Sequence, residues 1–230
     1  MKKYIYLFQQ GNAEGKSSLS DLLGGKGANL AEMCNLNLPV PPGFTITTEV
    51  CNYFIKHNKY PRGFKKQVEA ALARIENILS QKFGDVQNPL LLSVRSGAKL
   101  SMPGMMETIL NIGLNDKTIN GLIYNNKNKR FAFDSYRRLI MMFSDVVMEK
   151  SNDLNYDIRI KLENEINQLK QQYKISHDID LNDTHYQSLC INFQKIINKT
   201  FSLSFPQNPY LQLSQSINAV FKSWNGNRAV

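Results

Sequence analysis

The sequence predicts an α+β protein in which a mixed α/β part carries a helical insert. Strand-like and helix-like segments alternate through the first half of the chain. After residue 116 the strand signals fade and helical periods dominate. A length of 230 residues, 42% hydrophobic and 20% charged, is enough for a buried core of ordinary globular composition. The boundaries drawn on this basis are an α/β lobe over 1–116, a helical insert over 117–200, and a helix within 201–230 that returns to the first lobe.

Tyr4 to Phe8 is a short β-rich run and reads as a strand. The glycine turn Gly24–Gly27 precedes Ala28–Met33, which has helical composition until Pro39 to Gly43 breaks it. Phe44 to Thr48 is β-branched and predicts a strand, with Thr47 or Thr48 capping a helix that carries Tyr53 and Phe54. Between Gln67 and Leu79, Val68, Leu72, Ile75 and Leu79 recur at helical spacing with charges on the other face. Pro89 to Arg95 is a continuous apolar run ending in a cation, the pattern of one buried strand. Beyond it, helices are predicted over Phe131–Met148 (Phe133, Tyr136, Ile140, Phe143 and Val147 inward), Arg159–Tyr173, His185–Lys199 and Tyr210–Trp224. Asp183 or Thr184 is the expected cap of the third of these.

Composition narrows the function classes. No stretch reaches the roughly 18 consecutive apolar residues of a membrane span, and the apolar run after Lys2 and Lys3 is too short for a signal peptide, so a cytoplasmic protein is expected. Cys34, Cys51 and Cys190 form no paired motif and read as buried, reduced thiols. His57, His177 and His185 lack metal-ligand spacing, and no metal site is assigned. The net charge of +9 suggests nucleic acid, but the excess is spread evenly. Residues 1–115 carry 13 Lys+Arg against 8 Asp+Glu, or +5, and residues 116–230 carry 15 against 11, or +4. The one cluster, Lys127-Asn128-Lys129-Arg130, reads as a solvated loop, and nucleic acid and membrane are not expected partners.

Two segments carry chemistry. Gly11-Asn12-Ala13-Glu14-Gly15-Lys16-Ser17 is not one of them, because it has three residues between its glycines where a phosphate-ringing loop of that type needs four. In Leu22-Leu23-Gly24-Gly25-Lys26-Gly27-Ala28-Asn29-Leu30, glycines permit close backbone approach, a lysine offers an ammonium, and a following helix offers its N-terminus. In Ser93-Val94-Arg95-Ser96-Gly97-Ala98, continuing to Met105-Met106-Glu107-Thr108, a strand ends in an arginine whose fork suits phosphate, and a loop of small residues follows. On residue types alone, a structural ion pair for Arg95 and core packing for the methionines weigh equally.

These segments resemble the pyruvate phosphate dikinase family. The resemblance rests on Gly24-Gly25-Lys26-Gly27-Ala28-Asn29-Leu30-Ala31-Glu32-Met33, on Ser93 to Ala98, and on Ser101-Met102-Pro103-Gly104-Met105-Met106-Glu107-Thr108-Ile109-Leu110-Asn111. Pro42-Gly43-Phe44, Lys82-Phe83-Gly84-Asp85, Arg130 to Arg138 and Ala219 to Trp224 extend it, whereas 150–210 matches poorly, as a variable insert would. The resemblance implies the first lobe of an ATP-grasp-like nucleotide-binding domain with a helical insert subdomain. It also implies an enzyme (EC 2.7.9.1) that converts ATP, phosphate and pyruvate to AMP, pyrophosphate and phosphoenolpyruvate through a phosphohistidine on a swivelling domain. By motif position, Lys26 binds ATP phosphates, Arg95 holds phosphate and stabilises transferring charge, and Gly104, Met105 and Met106 close over the polyphosphate.

The resemblance implies Mg²⁺ as cofactor, with ligands outside this fragment, and ATP as substrate. The expected fragment lacks the phosphohistidine and the barrel that acts on pyruvate, and is inactive alone. It is expected to be a monomer, whereas the full-length protein dimerises. Lys222 stands where the family has arginine, on a surface that docks the swivelling domain. Competing readings are a phosphoenolpyruvate synthase-like dikinase, a non-catalytic ATP-binding module and, last, an RNA-binding protein.

Overall fold

The structure, a computed structural model, describes residues 2–97 and 108–224. The described residues fall into two compact units. One draws on Met1–Gln81, Arg95–Met106 and Val220–Val230, the other on Lys82–Val94 and Glu107–Ala219. Both mix helix and strand, as an α+β chain should. The sequence boundaries fell after residues 116 and 200. The second unit also takes in 82–94 and 107–116, because the strands there pair with each other and pack on the helices that follow.

The first unit is built on an antiparallel sheet of β1 (Ile5–Gln9), β2 (Asn12–Ala13) and β3 (Gly43–Ile46), with β1 in the centre. Ile5 pairs with Ile46 and Phe8 with Gly43, while Phe8 and Gln9 turn back onto Ala13 and Asn12. Of the segment set aside as a phosphate loop, Asn12 and Ala13 form this hairpin strand and the rest is turn and loop, up to a 3-10 turn that begins at Ser17. Three helices accompany the sheet: α1 (Ser20–Asn35), α2 (Thr48–His57) and α3 (Phe64–Leu79). Their buried residues include Leu23, Ala28, Val50, Phe54, Phe64, Leu72 and Ile75. Each large one stabilises the fold by about 1.5–3 kcal/mol relative to exposure. The inner face of α3 runs through Phe64, Ala71, Leu72 and Ile75, while Leu79 is 40% exposed and drops out of the expected stripe.

Helix α1 differs from the expected turn-then-helix. Only Gly24 leaves helical geometry, at φ 70° and ψ 164°, and Gly25, Lys26 and Gly27 lie in the helix that resumes after it. Nor does either threonine cap α2 through its side chain. Thr47 sits at the N-cap with its buried hydroxyl unpartnered, and Thr48 donates its hydroxyl to the Asp21 carbonyl at 2.8 Å.

The second unit contains a parallel pair, β4 (Lys82–Phe83) with β5 (Pro89–Leu90), and an antiparallel pair, β6 (Leu92–Val94) with β7 (Ile109–Ile112). The single strand expected over 89–95 is thus two, each side of Leu91 taking a different partner. Around them lie α4 (Ile119–Asn126), α5 (Lys129–Phe143), α6 (Ile158–Gln172), α7 (Asp183–Phe201) and α8 (Pro209–Ser223), whose last residues belong to the first unit. The largest helix contact joins α5 to α7, burying Tyr136, Leu139, Ile140 and Phe143 on one side and Leu189, Phe193 and Ile197 on the other. The helix expected to reach Met148 changes at Ser144 into a π-helical segment, Ser144–Glu149. That segment buries Val146, Val147, Asp145 and Glu149 together. Phe133 is half-buried, outside the core.

Polar residues set the helix ends. The Asn128 side chain accepts from the Phe131 amide at 2.9 Å, so the expected basic loop is instead a junction between α4 and α5. The cap of α7 is Asn182, in place of Asp183 or Thr184. Its side chain accepts from the His185 amide at 2.9 Å, and His185 Nδ1 accepts from the Asn182 amide at 3.3 Å, a reciprocal capping box.

Candidate functional site

The site is assembled in the first unit from the two motif segments, which meet through bare backbone. Gly24 holds a positive φ with an extended ψ, a conformation that costs an L-residue about 1–3 kcal/mol, and a Cβ placed on it would lie 2.0 Å from the Gly97 carbonyl oxygen. No side chain fits between them. Gly97 in turn faces the Leu23 carbonyl, 3.6 Å from where its own Cβ would be. Gly27, one turn on, lies against Thr45 of β3, where a Cβ would come within 2.6 Å of the methyl group. The glycines therefore let α1 settle onto the sheet at one point and onto the Arg95–Gly97 segment at another.

This contact brings Lys26, two residues beyond Gly24, and Arg95, two residues before Gly97, onto neighbouring backbone segments. Both side chains are exposed, and neither makes an ion pair or hydrogen bond among the described residues. The structural ion pair that competed for Arg95 is thus not found there. Several other cations of the chain are engaged: Lys2 with Glu49, Lys3 with Glu14, Arg137 and Arg138 with Asp134, Lys170 with Asp178. Gly104, Met105 and Met106 lie outside the described residues.

Sequence reasoning missed two residues that hold this segment. Ser96, 1% exposed, accepts a hydrogen bond from the Trp224 indole N–H at 3.2 Å. Ser96 lay inside the quoted motif, and Trp224 is the chain's one tryptophan. Lys222, on the same helical end, is exposed.

The cluster Lys127 to Arg130 offers little to an anion. Lys127 is the left-handed residue closing α4, and Arg130 donates to the carbonyls of Leu181 at 2.6 Å and Ile179 at 2.8 Å. The cysteines are buried, and burial pushes the thiols of Cys51 and Cys190 up to about 12, which leaves them unreactive. Among the described residues, no three His, Cys, Asp or Glu side chains converge on a possible metal position. No described helix is long and apolar enough to cross a membrane.

A glycine-rich helix start beside a strand-end arginine, neither cation with a partner among the described residues, is an arrangement that can receive phosphate groups. The sequence profile described as pyruvate phosphate dikinase, AMP/ATP-binding domain, matches residues 20–66 and 60–230, and the chain belongs to that family. It is similar to pyruvate, phosphate dikinases of Rhizobium meliloti (46% identical over 231 residues) and Clostridium symbiosum (43% over 232), in each case over the whole chain. It is also 43% identical over 229 residues to that of Giardia intestinalis, covering 98% of the chain. The chain spans about a quarter of the length of the curated relatives it matches.

Proposed function

We propose that this chain is the ATP-recognising part of a cytoplasmic pyruvate, phosphate dikinase, an ATP-grasp-like lobe with a helical insert, in which Lys26 and Arg95 bind the polyphosphate. The observation that carries the reading is the Gly24–Gly97 backbone contact, beside which lie two exposed cations that have no partner among the described residues. Phosphoryl transfer depends mainly on positioning and charge neutralisation, and two neighbouring cations suit both. Lys26 supplies a point charge, whereas Arg95 supplies a planar fork that can grip two phosphate oxygens. As charge develops on the transferring group, a fork already aimed at it stabilises the transition state without reorganising.

In the same reading, Gly104, Met105 and Met106 close over the phosphates, and the surface around Lys222 docks the domain bearing the phosphohistidine. The whole protein converts ATP, phosphate and pyruvate to AMP, pyrophosphate and phosphoenolpyruvate, and is a dimer. The present chain is a monomer without complete turnover.

A competition experiment tests the phosphate basis of recognition. With a fluorescent ATP analogue bound to the chain, pyrophosphate is expected to displace it and adenosine to displace it poorly. Displacement by adenosine but not by pyrophosphate would overturn the reading.

A further inference from the structure

Arg95 is exposed and has no side-chain partner among the described residues, so its aim depends on how firmly its backbone is held. The Arg95–Gly97 segment is held from two sides. Gly97 rests against the Gly24 turn, and buried Ser96 accepts the indole N–H of Trp224 at 3.2 Å. Trp224 has a fixed base. Its amide donates to the Phe221 carbonyl at 3.3 Å, and the buried Phe221 ring packs against Phe54 at 5.5 Å between centroids and Tyr60 at 6.4 Å. The end of α8 is thereby fastened to the core of the first unit, and one directed hydrogen bond passes from it to the residue beside Arg95.

Resting on the nucleotide-site reading above, we infer that Trp224 is a positioning residue for Arg95, acting through Ser96 to fix the guanidinium for phosphate. An indole N–H is a donor only, and a serine hydroxyl can receive it and still donate its own proton. Holding a fork within a fraction of an ångström matters most where two parallel hydrogen bonds must form at once.

The test uses the full chain and Mg·ATP, with Trp224→Phe, Ser96→Ala, Arg95→Ala and the Trp224→Phe/Arg95→Ala double variant. Trp224→Phe keeps an aromatic ring but removes the donor, and Ser96→Ala removes the acceptor should the first variant fold poorly. Each is expected to weaken binding about three- to tenfold, the effect of one net hydrogen bond. In the Arg95→Ala background, Trp224→Phe is expected to add nothing, because its effect runs through the arginine. A merely structural tryptophan would weaken binding equally in both backgrounds, and that result would overturn the inference. If Arg95→Ala weakens binding while Trp224→Phe and Ser96→Ala do not, this inference alone fails. If Arg95→Ala leaves binding intact, or the unaltered chain does not bind at millimolar Mg·ATP, the nucleotide reading fails and the inference fails with it.

Discussion

Arg130 donates its Nε–H to the Leu181 carbonyl at 2.6 Å, clasping the segment that leads into α7 to the start of α5. A second guanidinium nitrogen reaches Ile179 at 2.8 Å, and the group lies 5.5 Å from the Tyr186 ring centroid. Arg130→Ala is therefore expected to destabilise the chain by about 1.5–3 kcal/mol, the range for hydrogen bonds to charged groups. Arg130→Lys should recover little, since an ammonium cannot span two carbonyls in a plane. Urea unfolding of the three proteins checks this, and an unchanged midpoint for Arg130→Ala would contradict it.

Gly24→Ala should be among the most damaging single-methyl substitutions in the first unit. It combines a positive φ with a Cβ position 2.0 Å from a backbone oxygen. The conformational part alone is about 1–3 kcal/mol, and the clash forces Gly97, and with it Arg95, to move. A lowered urea midpoint together with loss of Mg·ATP binding is expected. By contrast, Ala28→Gly in the same helix should cost about 1 kcal/mol through helix propensity and about 0.8 kcal/mol more for its buried methyl group.

Glu149 is buried and accepts the amides of Asp157 at 3.1 Å and Ile158 at 2.9 Å, at the start of α6. Glu149→Ala leaves two donors without partners and should cost about 1–3 kcal/mol. Hydrogen exchange is expected to quicken first in the opening turn of α6, before the rest of the helix.

Alkaline pH should destabilise the chain. Burial pushes the thiols of Cys51 and Cys190 up to about 12, and the Tyr60 phenol to about 12. Burial raises the Tyr136 phenol as well. A group whose folded value is raised contributes stability that is complete below its unfolded value and is lost as pH climbs toward the folded one. Urea midpoints should be level up to about pH 8, then fall steadily from about pH 9 toward 12. A rise over that interval would contradict the assignment.

What was legible in the sequence was local. The helix carrying Leu72 and Ile75 follows from spacing within one segment, and so does α7 from its own periodicity. The split of Pro89–Val94 into two strands was not legible, because it depends on which distant strands arrive on either side of Leu91. The cap of α7 was placed one residue too late, since whether Asn182 or Asp183 ends the turn is a matter of backbone angle. At the site, Lys26 and Arg95 could be singled out by residue type and motif. Their shared neighbourhood could not, because it comes from a contact between Gly24 and Gly97, far apart in the chain. The bond from Trp224 to Ser96 lies still further beyond local pattern.

The central claim, that Lys26 and Arg95 recognise polyphosphate, is tested most directly by calorimetric titration of Mg·ATP into the chain and its Lys26→Ala and Arg95→Ala variants. The account predicts measurable binding by the unaltered chain and a loss of about 10- to 100-fold in each variant, the range expected for a charge-assisted contact. Full affinity in both variants would contradict it.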